Sequence, residues 1–309
     1  MLRLLALVTA LALPSLAFYA PSSRPRASSH LQAWSSEVSD LLGKIKQNTK
    51  PGSVVVIKYG GHAMENDELK KFFCEDVAAL CSTGLLPIIV HGGGPQIASM
   101  LKKLEIETRF VNGLRVTDES TMQVAQMVLC GSINKEIVGM ISKNGAPALG
   151  LCGLDSRLVK AKQLPELGLV GEPTEVNSEL LKSLLSLKLV PVIAPVGSNE
   201  DGGGSLNINA DTAAGAVAES LRADRLLLLT DVTGVLDKEK KLIPEIKSSA
   251  LQGLISDETI TGGMIPKLQT ATGSVLKGVG AVSIMDGRVR HCILRALSGE
   301  EFGTCIVQG

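Results

Sequence analysis

Aromatic residues are scarce in this chain, in which one Trp, two Tyr and five Phe make up 3% of 309 residues. The core must therefore be built from Val, Ile, Leu and Ala, which is typical of a buried and largely parallel sheet. An excess of charge is also missing, because 31 basic residues balance 31 acidic ones. That balance gives no electrostatic reason to expect nucleic acid or an anionic membrane as partner, and it favours a small molecule.

The cysteines lack the spacing of a metal site or a disulfide framework. There are six, no two of them form a C-x-x-C pair, and most lie in apolar runs. This distribution favours buried thiols over bound metal or structural disulfides. We therefore expect no metal ligands among them.

The first thirty residues resemble a targeting leader. Residues 1–17 have the pattern of a signal peptide, with an apolar run from Leu4 to Leu13 and small residues up to Ala17. The run is too short to span a bilayer. Residues 18–30 carry Ser, Pro and Arg without an acidic residue, as transit peptides do. The combination resembles the bipartite leader of plastids of secondary endosymbiotic origin, so we expect the plastid stroma, with secretion as the alternative.

A helix predicted over residues 31–47 follows the leader. Apolar residues recur there at spacings of three and four, from Leu31 to Ile45, after the possible caps Ser28 and Ser29. Its apolar stripe must be covered either by the domain itself or by another subunit.

Strand-like and helix-like runs alternate over the rest of the chain. Strands separated by helices predict right-handed βαβ units and an α/β fold with an open, mainly parallel, doubly wound sheet. Two β excursions interrupt the pattern: a hairpin over Thr108–Thr117, and a small antiparallel part within residues 146–176. Between them we predict two helices, 118–130 and 132–144.

Two glycine turns end two successive strands. The first is Lys58-Tyr59-Gly60-Gly61 and the second is His91-Gly92-Gly93-Gly94-Pro95. Glycines at the carboxyl ends of parallel strands let backbone N–H groups approach phosphate oxygens closely. Neither turn fits G-x-G-x-x-G or the Walker pattern, which argues against a Rossmann dehydrogenase and a P-loop. A surface lysine beside an ordinary turn is the alternative interpretation.

Three further stretches place polar residues at strand ends or helix starts. They are Arg115, the run Asn207-Ile208-Asn209-Ala210-Asp211, and the run from Gly262 to Lys267. Taken singly, each has a structural interpretation, as a surface arginine, a helix cap or a solvated lysine. Together, two lysines, a carboxylate, a guanidinium and glycine turns suit phosphoryl transfer between anions.

These stretches carry a family resemblance that extends from about Val54 to the C-terminus. In order, they resemble the motifs of the N-acetylglutamate kinases, a group within the amino acid kinase family. The matching motifs are Lys58-Tyr59-Gly60-Gly61, His91-Gly92-Gly93-Gly94-Pro95, Asn112-Gly113-Leu114-Arg115-Val116-Thr117, Asn207-Ile208-Asn209-Ala210-Asp211, Leu229-Thr230-Asp231-Val232 and Gly262-Gly263-Met264-Ile265-Pro266-Lys267.

The resemblance implies roles for individual residues. Lys58 and Lys267 would stabilise the transferring phosphoryl group, and Asp211 would hold the two ammonium groups in place. The substrate N-acetyl-L-glutamate would be bound by Gly93, Gly94, Arg115 and Asn207. The nucleotide would be bound by Gly60, Gly61, Asp231, Val232, Thr233, Gly234, Val235, Leu236, Thr259, Ile260 and Thr261.

The resemblance also implies the reaction and the division of the chain. ATP with Mg²⁺ would phosphorylate the side-chain carboxylate of N-acetyl-L-glutamate, with residues 53–196 binding the acyl amino acid and residues 197–309 binding ATP. A carboxylate nucleophile is already ionised at neutral pH, so no general base is required and His91 is interpreted as structural. Alternatives are a family member acting on glutamate, aspartate, carbamate or UMP, and a non-catalytic nucleotide-binding sensor.

Assembly and regulation are further expectations from the resemblance. In its arginine-inhibited members an N-terminal helix joins dimers into a hexamer, and arginine binds between that helix and the C-terminal lobe. Residues 31–47 and Met285–Val289 match, so we expect a hexamer as a trimer of dimers. The glutamate that would pair with the arginine effector falls at Ala296, and Glu300 or Glu301 is its possible substitute.

Overall fold

Runs of β-branched residues form strands and alternate along the chain with amphipathic runs that form helices. The strands make a sheet that the helices cover on both faces. The computed structural model describes residues 34–309, apart from the side chain at position 62. The predicted leader, Leu31 and the proposed caps Ser28 and Ser29 therefore lie outside the described residues. The strands are β1 (Val54–Tyr59), β2 (Leu86–His91), β3 (Phe110–Val111), β4 (Leu114–Arg115), β5 (Ala148–Cys152), β6 (Val159–Gln163), β7 (Val170–Val176), β8 (Val190–Ala194), β9 (Val196–Asn199), β10 (Ser205–Ile208), β11 (Arg225–Thr230), β12 (Glu245–Lys247), β13 (Ala281–Asp286) and β14 (Thr304–Val307).

Helices occupy most of the segments between the strands. A π-helical segment, Met127–Ile133, joins two of them without a break. The α-helices are α1 (Ser36–Asn48), α2 (Asp67–Cys81), α3 (Gly94–Lys103), α4 (Glu119–Gln126), α5 (Asn134–Lys143), α6 (Ser178–Ser186), α7 (Ala210–Leu221), α8 (Leu251–Ser256), α9 (Met264–Leu276) and α10 (Cys292–Ser298).

Within residues 34–309 the main sheet has eight strands, in the order β12-β14-β13-β11-β1-β2-β8-β5. Its pairs are parallel except for β13 with β14, so the predicted open and mainly parallel sheet is confirmed. Along β1 the side chains alternate between the two faces, with Val55 and Ile57 in one apolar cluster and Val56 in the other. Both faces are therefore buried, as a doubly wound sheet requires.

The β excursions differ in part from the prediction. The hairpin forms as predicted, with β3 and β4 joined by Asn112 and Gly113, both at positive φ. The prediction for residues 146–176 was partly wrong, because β5 is a parallel edge strand of the main sheet. Only β6 and β7 leave that sheet, and they close a small barrel with β9 and β10. The predicted lobe boundary at residues 196 and 197 falls inside β9.

The two predicted helices 118–130 and 132–144 are one continuous helix. Its backbone hydrogen bonding changes from the α to the π pattern at Met127 and back to α after Ile133, without an interruption. By length and composition, Glu119–Lys143 is apolar enough to cross a membrane. Within this fold it packs against α2, β5 and β8, so we interpret it as a core helix.

Helix α1 starts later than predicted, because the side chain of Ser35 caps it and accepts the Val38 N–H. Its apolar stripe, including Leu41 and Ile45, is buried and packs against α10. The domain itself therefore covers this stripe, which was one of the two alternatives that the sequence left open.

Candidate active site

The site lies at the point in the main sheet where the order of strand addition reverses. From β1 the strands β2 and β8 continue to one side, while β11 and β13 lie on the other. Ligands of open α/β sheets bind at such a switch point, outside the carboxyl ends of the strands. Lys58 is next to last in β1, and the turns at Gly60 and Gly92 follow β1 and β2 there.

Two ammonium groups share the carboxylate of Asp211. The Nζ atom of Lys58 lies 3.0 Å from Oδ1, and that of Lys267 lies 2.8 Å from Oδ2. Asp211 stands in the first turn of α7, whose first N–H groups are capped by the side chain of Asn209. Lys267 stands in the first turn of α9. The structure thus brings together the three residues for which a catalytic role was predicted.

The carboxyl group of Asp211 is ionised across the physiological range. Its burial on its own raises the pKa, but the charges of Lys58 and Lys267 and their hydrogen bonds outweigh burial and lower the pKa to about 2. A carboxylate with so low a pKa is a poor proton acceptor at neutral pH. Asp211 is therefore suited to hold the two ammonium groups and not to act as a general base.

A cavity of about 220 Å³ opens beside this ion cluster. Seven of the predicted site residues line it, which are Lys58, Gly60, Gly61, Gly93, Gly94, Arg115 and Asn207. The two glycine turns, the hairpin and β10 therefore meet around one volume. Every residue predicted to bind the substrate contributes to its wall.

Arg115 is a buried cation in the wall of this cavity. It is 7% exposed, and burial lowers the pKa of its guanidinium. The guanidinium donates to the Thr108 hydroxyl at 2.8 Å and to the Gly94 carbonyl at 3.1 Å, and it stacks on the Phe110 ring. Within residues 34–309 no carboxylate forms an ion pair with it. A buried guanidinium facing a cavity without a counter-charge favours an anionic ligand there.

A side chain at Gly60 or Gly93 would have to displace the end of a neighbouring side chain. A Cβ atom added at Gly60 would lie 2.9 Å from the Nζ atom of Lys58. One added at Gly93 would lie 2.6 Å from side-chain atoms of both Leu129 and Ile133, which belong to the π-helical segment. Gly94 begins α3, so its turn presents a helix N-terminus to the cavity.

His91 lies beneath the second glycine turn and is fully buried. Its Nδ1 atom lies 2.8 Å from the Gly92 carbonyl oxygen, and its Nε2 atom lies 3.2 Å from the amide nitrogen of Asn134. Burial lowers its pKa to about 4, so the ring is neutral at physiological pH. These contacts agree with the structural role expected for His91.

Apart from Gly60 and Gly61, the predicted nucleotide-binding residues occupy two segments, residues 231–236 and 259–261. A Cβ atom added at Gly61 would lie 2.7 Å from Oδ1 of Asp231, so the first of these segments begins against the β1 turn. Val232 and Leu236 are exposed apolar residues, whereas Val235 and Ile260 are buried in the core. The role of these segments, which also contain Thr233, Gly234, Thr259 and Thr261, remains a prediction.

Several residues of the cavity were not identified from the sequence. Phe110 pairs directly with Arg115 across the hairpin and stacks on its guanidinium. The two-residue Asn112-Gly113 turn fixes that register, so the pairing could have been derived from the motif. No comparable signal marks the apolar wall, which includes Ile97, Leu114, Leu129, Val170, Pro195 and Ile208.

Comparisons with known proteins agree with this architecture. The sequence model described as "Amino acid kinase family" matches residues 53–286. An acetylglutamate kinase from Azorhizobium caulinodans is 48% identical over 271 residues, which are 83% of this chain and 90% of that protein. One from Brucella canis is 53% identical over 268 residues, which are 82% and 90% of the two chains.

A solved structure shows the same fold at lower sequence identity. N-acetylglutamate synthase from Neisseria gonorrhoeae, complexed with coenzyme A and N-acetyl-glutamate, superposes with a TM-score of 0.77 at 21% identity. The superposition covers 88% of this chain and 62% of that one. The segment that matches the family model contains Lys58, Asp211 and Lys267, and this chain belongs to the amino acid kinase family.

Proposed function

We propose that this chain transfers the γ-phosphoryl group of ATP to the side-chain carboxylate of N-acetyl-L-glutamate. The product is N-acetyl-L-glutamyl 5-phosphate, an intermediate of arginine biosynthesis. One observation carries the proposal: Lys58 and Lys267 flank Asp211 beside a cavity that also holds the buried guanidinium of Arg115. Relatives that are 48% and 53% identical are named acetylglutamate kinases, which supports this acceptor.

The cavity suits an acceptor with two carboxylates. Arg115 can hold one of them through its planar pair of N–H donors, assisted by Asn207. The second carboxylate would then reach the lysine side of the same cavity, where Lys58 and the Gly60 turn lie. Binding both ends of a small dianion fixes the reacting oxygen in position, which is the main requirement of this chemistry.

The transfer step needs positive charge and no base. A carboxylate oxygen forms a bond to the γ-phosphorus, while the bond from that phosphorus to the β-phosphate oxygen breaks and ADP leaves. Lys58 and Lys267 stabilise the negative charge of the transferring group and of the leaving oxygen. Because the acceptor is already ionised at neutral pH, the step requires no proton transfer to Asp211 or His91.

ATP would bind on the Lys267 side of the ion cluster. Asp231 lies beside the Gly60-Gly61 turn, and the exposed apolar residues Val232 and Leu236 offer a surface for the base. Mg²⁺ would enter as the ATP complex, held mainly by phosphate oxygens. Among the residues that the structure describes, no three of His, Cys, Asp and Glu are grouped to hold a metal ion.

A coupled assay of ADP release tests the acceptor. We expect turnover with N-acetyl-L-glutamate and little or none with L-glutamate, L-aspartate, carbamate or UMP. Equal turnover of N-acetyl-L-glutamate and L-glutamate would contradict the proposed specificity. A non-catalytic nucleotide sensor would release no ADP with any acceptor, although it would still bind ATP.

We also propose that residues 1–30 direct the protein to the plastid stroma. The signal-like and transit-like composition of this segment supports the proposal, and the segment precedes the family match that begins at residue 53. A fluorescent fusion carrying residues 1–36 should enter a plastid by way of the endomembrane system. Accumulation of the fusion in the medium would favour secretion instead.

We further propose a hexamer built as a trimer of dimers through α1. The presence of this helix and the Met285–Val289 match support the proposal. Because α10 covers the apolar stripe of α1, the contact between subunits would use the exposed face of α1, which includes Asp40 and Gln47. Light scattering should find a hexamer for residues 31–309 and a dimer for residues 50–309. A dimer in both cases would refute the proposed assembly.

Arginine is the effector that we propose for the region between α1 and α10. Glu300, the candidate partner of the ligand, already contacts Lys44 at 3.1 Å and Arg295 at 3.4 Å. Free arginine would therefore compete with Arg295 for this carboxylate. Rate measurements with millimolar arginine should show inhibition, and unchanged rates would mean that Ala296 marks a lost effector site.

A further inference from the structure

The hydroxyl of Thr117 forms hydrogen bonds to Asn207 and to the backbone of Arg115, the two polar residues that would bind the acceptor in the 220 Å³ cavity. Thr117 is fully buried, and it lies two residues beyond Arg115 at the end of the hairpin. Its Oγ1 atom accepts a hydrogen bond from Nδ2 of Asn207 at 3.2 Å and donates one to the Arg115 carbonyl oxygen at 2.9 Å. One side chain therefore connects the segment that carries the guanidinium with the strand that carries the amide.

The direction of these bonds sets the orientation of the Asn207 amide. A hydroxyl has one proton to donate, and here Thr117 donates it to the Arg115 carbonyl. Toward Asn207 the hydroxyl can then only accept, so the NH₂ end of the amide must face Thr117. The opposite orientation would place two acceptor oxygens against each other in a buried site, which is costly.

Backbone hydrogen bonds hold Thr117 at this junction independently of its side chain. The N–H of Thr117 donates to the Leu167 carbonyl at 2.9 Å, and the Thr117 carbonyl accepts the Leu169 N–H at 2.6 Å. The Leu169 carbonyl in turn accepts the N–H of Asn207 at 2.9 Å. Gly168 lies between them at φ +75°, where a side chain would clash with the Thr117 carbonyl. Loss of the hydroxyl alone should therefore leave the backbone in place.

We propose that Thr117 is a positioning residue for the acceptor, which sets the orientation of Asn207 and couples it to the Arg115 segment. The proposal rests on the proposed function, because it names a residue through which that site would bind its substrate. Thr117 does not belong to the Lys58–Asp211–Lys267 cluster, so its loss should weaken acceptor binding and leave phosphoryl transfer largely intact. It is not among the residues that line the cavity.

Steady-state kinetics of Thr117→Val test the proposal. Valine keeps the shape of threonine and removes only the hydroxyl. We expect the KM for N-acetyl-L-glutamate to rise by about tenfold, the effect of one lost hydrogen bond that leaves partners unpaired. The KM for ATP and the kcat should stay within about threefold of wild type. Thr117→Ser retains the hydroxyl and should restore the KM.

Thr272 provides a matched control for the same substitution. It is buried in α9, and among the described residues its hydroxyl has no hydrogen-bond partner. Thr272→Val should therefore leave both KM values unchanged. The proposal is overturned if Thr117→Val raises the acceptor KM no more than Thr272→Val does, or if Thr117→Ser behaves like Thr117→Val.

A second measurement does not depend on the identity of the acceptor. In protein labelled with ¹⁵N at asparagine side chains, the Asn207 signal can be assigned from its absence in Asn207→Asp. Its amide protons should exchange with water at least about tenfold more slowly in wild type than in Thr117→Val. Equal exchange rates would refute the positioning role, whereas inactivity of wild type toward N-acetyl-L-glutamate would refute the proposed function alone.

Discussion

Replacing Asp211 by Asn removes one negative charge from between two ammonium groups and keeps the size of the side chain. In the wild-type protein burial raises the pKa of Asp211, and the two lysines outweigh burial and lower it from 3.8 to about 2. That difference corresponds to about 2 kcal/mol of unfolding free energy at neutral pH. The carboxylate is only 16% exposed, so screening by solvent reduces this figure little.

The contribution of the Asp211 carboxylate to the free energy of unfolding depends on pH. A carboxyl group whose pKa is lowered by folding stabilises the protein above its unfolded pKa, and this stabilisation is lost as the pH falls through the folded pKa. Urea unfolding should therefore show wild type about 2 kcal/mol more stable than Asp211→Asn at pH 7, and roughly half of that at pH 3. Asp201→Asn, an exposed control, should match wild type at both pH values.

The same substitution should impair catalysis more than stability. Without the carboxylate the ammonium groups of Lys58 and Lys267 repel each other and lose their common anchor. We expect kcat to fall by on the order of 10²-fold, as commonly follows loss of a preorganised charge. A folded Asp211→Asn protein with kcat within about threefold of wild type would remove Asp211 from the role assigned to it.

Four further substitutions test separate parts of the site. Lys58→Ala and Lys267→Ala should each lower kcat by on the order of 10²-fold in the ADP-release assay, with the circular dichroism spectrum unchanged. Near-normal turnover of either variant would refute the catalytic role of that lysine. Gly60→Ala should displace the Lys58 ammonium group and lower kcat by about tenfold. In the control Gly139→Ala the added methyl group meets no other atom, so kcat should not change. Equal kcat values for the two variants would refute the inference that Gly60 leaves room for the Lys58 ammonium group. Arg115→Lys keeps the positive charge but loses the bidentate pair of N–H donors, so the KM for the acceptor should rise by about tenfold while the KM for ATP is unchanged. An unaltered KM for the acceptor would refute the proposal that Arg115 binds one of its carboxylates.

The parts of the fold that depend on local pattern could be predicted from the sequence. Apolar runs ending in glycine turns identified β1 and β2, because the hydrophobic period and the turn residues are both local signals. The Asn112-Gly113 hairpin followed from the positive φ that its turn requires. The runs that contain Asp211 and Lys267 were singled out by their polar residues, but the contact between these two residues was expected only through the resemblance, since their separation in sequence gives no information on it.

Features that depend on tertiary packing could not be predicted in the same way. The break expected near residue 131 is bridged by a π-helical segment, because the packing of this segment against α3 and β5 outweighs the local glycine signal at Gly131. The Gly-rich sequence around β5 does not distinguish a strand of the main sheet from one outside it, and only the parallel pairing of β5 with β8 assigns it to the main sheet. Thr117 shows the same limit, because a threonine at a strand end has no local signature of its partners.

Trapping of the product with hydroxylamine tests the central claim most directly. Wild-type protein is incubated with ATP, Mg²⁺, N-acetyl-L-glutamate and hydroxylamine, and both ADP and the hydroxamate are quantified. An acyl phosphate reacts with hydroxylamine, so transfer to the side-chain carboxylate predicts one N-acetyl-L-glutamyl hydroxamate for each ADP released. Release of ADP with inorganic phosphate and no hydroxamate, or no ADP release at all, would contradict phosphorylation of the carboxylate.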